Sequence, residues 1–89
     1  MPRVVLTPQL ARFVPCPEAR VSGQTVAQAL DLFFSGHARA RGYIFDDQDR
    51  LRKHVMVFLN GEALTDRVTL ADPVEDEDEI YVMQALSGG

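Results

Sequence analysis

The sequence predicts an α+β domain in which a mixed sheet of four to five strands carries one main helix across one face. Three observations lead there. Val26, Ala29, Leu30, Phe33 and Phe34 recur at helical spacing, short runs rich in β-branched residues lie on both sides of them, and an Asn60-Gly61 pair separates two such runs. With 89 residues, 46% of them hydrophobic, the chain can bury one core without metals or disulfides.

Taken in order, Val4, Val5 and Leu6 mark a first strand over 3–7 that Pro8 ends, since proline supplies no ladder donor. A loop holding Pro15, Cys16 and Pro17 follows, then a second strand over 19–22 closed by Gly23. Thr25 is placed as a helix N-cap, and Gln28 three residues on completes the pattern of a capping box. The apolar stripe then runs to Phe34, with Gly36 as the stop.

Residues 37–53 read as a connecting loop or small hairpin, with Asp46, Asp47, Gln48 and Asp49 as a turn. A strand over 54–59 alternates Val55, Val57 and Leu59 with Met56 and Phe58. Asn60-Gly61 suits a tight hairpin because both residues tolerate positive φ, and a short strand over 62–64 follows it. The last strand covers 80–84, leaving a folded domain over 1–85 and a flexible tail over 86–89.

Composition excludes several functions. A formal net charge of −4 lacks the basic stripe of a nucleic-acid binder. No apolar run approaches the roughly 20 residues needed to span a bilayer, so no membrane role is expected. A single cysteine forms no internal disulfide, no secretion-signal pattern opens the sequence, and a cytoplasmic location is expected. No phosphate-binding loop of the G-x-x-x-x-G-K-[ST] type is present, and one cysteine with two histidines offers no readable nucleophile and base pair. The chain reads as a carrier and co-substrate of a partner enzyme, with no cofactor bound, and as a monomer when free.

The chemistry-bearing feature is the closing Gly88-Gly89 pair. Without side chains, such a pair enters a narrow channel in an extended conformation that larger residues would block. Residues 86–89 reach about 13 Å when extended, at about 3.3 Å per residue. At ordinary glycine usage two closing glycines arise by chance in about one chain in two hundred. The pair therefore takes its weight from its position just behind a final strand. An ionised carboxylate is a poor electrophile, so chemistry at Gly89 requires external activation, for which ATP and an acyl-adenylate are the expected route.

Gly23-Gln24-Thr25-Val26, the stretch from Leu51 to Glu62, Asp76-Glu77-Asp78-Glu79-Ile80 and the closing Ala85-Leu86-Ser87-Gly88-Gly89 together resemble the MoaD/ThiS family of β-grasp, ubiquitin-like sulfur carriers. The long segment before the third strand is similar to the cysteine-pathway carriers and related archaeal members. The resemblance implies that an E1-like adenylating enzyme uses ATP to activate Gly89, with Gly88 giving access. The product is a thiocarboxylate whose sulfur passes to an accepting synthase in cofactor, cysteine or related biosynthesis. It also leaves open a protein modifier joined to target lysines through Gly89, and a plain interaction module with a dispensable tail. Glu77 stands where many members carry glycine, and no proline precedes the tail.

If Val55, Val57, Ile80 and Val82 face the helix, then Met56, Phe58, Tyr81 and Met83 point to the other sheet face. That face is either an apolar docking site, continued by Leu86 and Ser87, or core beneath a loop. The acidic run 75–79 reads as a solvated turn or as a feature that steers the tail toward a basic partner. Asp46, Asp47 and Asp49 lack calcium-loop spacing, and His37 and His54 are too far apart in sequence for a metal site. No metal is expected. Cys16 is structural or incidental, and Lys53 is the only lysine.

Overall fold

In a computed structural model the described residues are 1–12 and 18–84. They form β1 (Arg3–Leu6), α1 (Pro8–Ala11), β2 (Ala19–Arg20), α2 (Val26–Phe33), α3 (Ala38–Ile44), β3 (Val55–Leu59), β4 (Glu62–Ala63) and β5 (Glu79–Gln84). The sheet order is β2-β1-β5-β3-β4. The late strand β5 thus occupies the centre, parallel to β1 and antiparallel to β3. The predicted mixed sheet with a helix packed on one face is what forms.

Pro8 ends the β1 ladder as expected and also starts α1, since its fixed φ suits a first helical position. Four residues are too few to leave a periodic signal. The loop at 13–17, with Cys16, lies outside the described residues.

Helix α2 is held at its start by three kinds of partner. Thr25 Oγ1 accepts from the Gln28 amide at 3.2 Å. Gln28 Oε1 accepts from the Gln24 amide at 2.9 Å, one residue ahead of the cap rather than at the cap itself. The remaining first-turn donors, the amides of Val26 and Ala27, reach the carbonyls of Asp72 and Leu70 at 3.0 and 2.9 Å. A helix start has four donors without intrahelical partners, and a distant loop takes up two of them here. Gly23 is required beside this start, because a Cβ there would lie 2.9 Å from the backbone nitrogen of Ala29.

The expectation of a loop or hairpin over 37–53 is corrected in its first half, where residues 38–44 are helical. Only Ala40 and Ile44 bury, one turn apart, so the stripe is too short to read, and Gly42 argues locally against a helix. Tertiary contacts decide the matter. The Arg41 guanidinium lies 4.7 Å from the Phe45 ring centroid and pairs with Asp31 at 2.7 Å and Asp49 at 3.4 Å, tying α3 to α2 and to the turn beyond. The second half keeps its turn: Phe45 bridges Leu51, and Asp46 Oδ1 accepts from the amides of Gln48 and Arg50.

The core lies between one sheet face and the helices. Val4, Leu30, Ile44, Val55, Ile80 and Val82 are fully buried, each contributing about 1.5–3 kcal/mol by leaving water. Phe34, predicted as part of the α2 stripe, packs edge-on against Phe33 and Phe45, with ring centroids 5.0 and 6.4 Å away.

Between β3 and β4, Asn60 and Gly61 take φ of 52° and 87°, as a tight hairpin requires. Asn60 also fixes the start of β5, accepting from the Glu79 amide and donating to Asp78 Oδ1, both at 2.9 Å. Among the described residues the non-glycines at positive φ are Asp49, Asn60 and Leu70. Glu77, where the resemblance led to an expectation of glycine, is not one of them, so its side chain sits there without backbone strain.

Candidate functional site

Because β5 is central, the chain leaves it from the middle of the sheet. Its last described residue, Gln84, pairs with Val55 at the start of β3, and the Thr7 amide donates to the Val82 carbonyl at 3.1 Å where β1 ends. The exit is therefore flanked by α1 on one side and by the Lys53-His54 turn on the other. Leu86, Ser87, Gly88 and Gly89 lie outside the described residues.

On the sheet face away from the helices, the register sets Met56 opposite Met83 and Phe58 opposite Tyr81. Val5 stands level with Tyr81 on β1, and Ala63 with Phe58 on β4. Met56, Phe58, Tyr81, Met83 and Val5 are half-buried, while Val55, Val57, Ile80 and Val82 are buried. The alternation expected from sequence holds, and none of these outer residues belongs to the buried core. The four predicted docking residues are thus neighbours in one apolar strip that leads toward the tail. At the far end of the strip Arg3 pairs with Glu79 and Glu18. Glu79 above all raises the Arg3 pKa beyond its usual value, against partial desolvation.

The acidic run sits at the start of β5, so the length of that strand separates it from the tail, about 20 Å at about 3.3 Å per residue. It forms an exposed turn. Asp78 accepts from the Asn60 side chain and the Glu75 amide, which hold its pKa below the usual carboxylate value. Asp76 pairs with the N-terminal ammonium at 3.0 Å. The run does not flank the end of β5.

Cations do. Arg52 Nε donates to the Gly42 carbonyl at 3.0 Å, and Arg67 Nη2 to the Arg52 carbonyl at 3.1 Å, which places both beside exposed Lys53. Arg12 closes α1 on the other flank. Asp46 and Asp47 line a groove with Arg52, and the Asp46 pKa is lowered first by the Arg50 and Gln48 amides it accepts from and then by the charges of Arg52 and Arg50.

One organising residue escaped the sequence reading. Asp66 Oδ1 accepts from the amides of Val68 and Thr69 at 3.1 and 3.0 Å, and its Oδ2 accepts from the Thr69 hydroxyl and, at 3.4 Å, from the Ala71 amide. These bonds, led by the Thr69 hydroxyl, lower its pKa from 3.8 to about 2. The loop so shaped presents the Leu70 and Asp72 carbonyls to α2. An Asp followed three residues later by Thr, between strand signals, is the local cue that was available.

Among the described residues, no group of three or more His, Cys, Asp or Glu side chains is placed to hold a metal ion. His37 stands at the start of α3, while the His54 ring packs edge-on against Tyr43, centroids 6.4 Å apart, so the two histidines serve separate places. A shallow groove lined by Ser22, Gly23, Gln24, Gln28, Asp31 and Leu32 contains neither histidine nor cysteine. No helix among the described residues is long and apolar enough to cross a membrane.

The model of the ThiS family matches residues 11–89. No curated protein matches the chain. Among solved structures, it is similar to the crystal structure of SAMP1 from Haloferax volcanii, at 28% identity over 99% of this chain and 98% of that one, with a TM-score of 0.77. The small archaeal modifier protein 1 of Methanosarcina acetivorans matches at 24% identity over 99% and 95% of the two chains, TM-score 0.81. A chain of the BexX/CysO complex of Amycolatopsis orientalis matches at 23% identity over the full length of both, TM-score 0.78. The shared architecture is the ubiquitin-like β-grasp.

Proposed function

Because the chain belongs to the ThiS family, we propose that it is a sulfur carrier protein working in the cytoplasm, with Gly89 as the atom-bearing end. The observation that carries this reading is the family match reaching through the closing Gly88-Gly89 pair. A carboxylate oxygen of Gly89 attacks the α-phosphate of ATP on an adenylating partner, pyrophosphate leaves, and an acyl-adenylate forms. Sulfide then displaces AMP, leaving a thiocarboxylate that a synthase consumes. Gly88 and Ser87 keep the approach narrow, and the Met56, Phe58, Tyr81 and Met83 strip docks the partner while Leu86 leads the tail into its channel.

Intact-protein mass spectrometry tests this. After incubation with the adenylating enzyme of the same organism, ATP and a sulfur source, oxygen should be replaced by sulfur at the C-terminus, and a chain lacking Gly88 and Gly89 should show no change. An unmodified mass for the complete chain would sink the reading.

The similarity to SAMP1 at 28% identity favours a second reading, a protein modifier. In it the same acyl-adenylate is intercepted by a lysine amine on a target, with AMP leaving and an isopeptide bond forming. A tagged copy expressed in its own cells would then give a ladder of conjugates, whereas a pure carrier gives only the free protein.

A further inference from the structure

We propose that the pole from which the tail leaves is a cationic docking collar, fitted to a partner whose tail-accepting channel is rimmed by carboxylates. The inference rests on the carrier reading and adds the chemistry of the partner surface. The observation behind it is a separation of charge along β5. Glu75, Asp76 and Glu77 lie exposed at the strand's start, whereas Arg52 and Lys53 precede Val55, which pairs with Gln84 at its end, Arg67 donates to the Arg52 carbonyl, and Arg12 caps α1 beyond the end of β1.

Arg3, Arg41 and the N-terminal ammonium are each ion-paired. Arg12, Arg52, Lys53 and Arg67 take part in no ion pair among the described residues, and neither do Arg20, Arg39 and Arg50, so it is the placement of the four at one pole that matters. Arg52 and Arg67 are held in place by backbone carbonyls, and Arg52 also faces the charge of Asp46, which it helps to keep ionised. Of the carboxylates close by, Asp46 accepts from the amides of Gln48 and Arg50 and Asp66 from those of Val68, Thr69 and Ala71, while exposed Asp47 lines one groove with Arg52.

A molecule of net charge −4 is repelled as a whole by an acidic surface, yet its dipole turns the cationic pole toward that surface. The tail is then aimed at the channel before contact. Charges placed so raise the encounter rate and lose their effect in salt.

The test compares two charge reversals in pyrophosphate exchange by the adenylating enzyme, with the concentration of this protein varied at low and high salt. R12E/K53E reverses the collar at two exposed positions, and E75K/E77K reverses the far pole. Circular dichroism melting verifies that both variants fold. The expected result is a KM for the carrier raised about tenfold in R12E/K53E, with a flatter salt dependence and unchanged kcat, against a change under about twofold in E75K/E77K. An unchanged KM in R12E/K53E overturns the collar. So does an equally large opposite shift in E75K/E77K, which would mean that net charge alone matters, or a shift in the KM for ATP, which would mean that the cations read nucleotide phosphate. Absence of exchange with the unaltered protein overturns the carrier reading and the collar together, whereas exchange with an unmoved KM overturns the collar alone.

Discussion

Single residues hold this domain at the seam between α2 and the loop that crosses its start. Asp66 is ionised in the folded state with a pKa lowered from 3.8 to about 2. A carboxylate depressed on folding contributes stability that is full above its unfolded pKa and is lost as pH falls through the folded one. Acid unfolding followed by circular dichroism should therefore show a limb between pH 3.8 and about 2 that D66N flattens, with a lower Tm for D66N at neutral pH. Thr25→Ala should cost about 1 kcal/mol, a fall in Tm of roughly 4–8 °C, read by the same melts. Thr25 was legible because its cap partner, Gln28, stands three residues away. Asp66 was not, because its consequence lies with the amides of Val26 and Ala27, some forty residues distant in the chain.

At the scale of elements, strands that alternate declare both of their faces at once. Val55, Val57, Ile80 and Val82 could be assigned to the core from spacing, and their neighbours Met56, Phe58, Tyr81 and Met83 to the other face, before any register was known. What spacing does not supply is which strand lies beside which, and so the pairing of Phe58 with Tyr81 came only from the structure. Phe58→Ser removes the centre of that strip. It should leave the melting curve nearly unchanged while raising the KM of activation by the adenylating partner at least about tenfold, the behaviour of an interface anchor. A lowered Tm with unchanged KM would make the strip structural instead. Helix α3 shows the opposite case: its seven residues carry too few apolar positions to declare a period, and Arg41 makes it a helix through contacts with Asp31, Phe45 and Asp49.

The whole molecule is built around its late strand. β5 has β1 on one side and β3 on the other, and it bears Ile80 and Val82 in the core. A chain ending at Asp78 should be unfolded by circular dichroism even though it keeps α2 and β3, because the sheet would lose its middle. The mixed sheet with its helix was legible from short strand runs about a single stripe. The end-to-end separation of charge was not, since it depends on strand direction, which residue order alone leaves open. Gly88 and Gly89 take their weight from the sequence and the family match.

The central place of β5 also sets a timetable. During synthesis, residues 3–6 emerge long before residues 79–84, their parallel neighbours, and until then have only β2 to pair with. Contacts so far apart along the chain are slow to close. The pairs β1 with β2 and β3 with β4 cannot join into one sheet before β5 has cleared the ribosome. A chain that stops before residue 79 consequently never assembles the strip that Met56 and Phe58 form with Tyr81 and Met83.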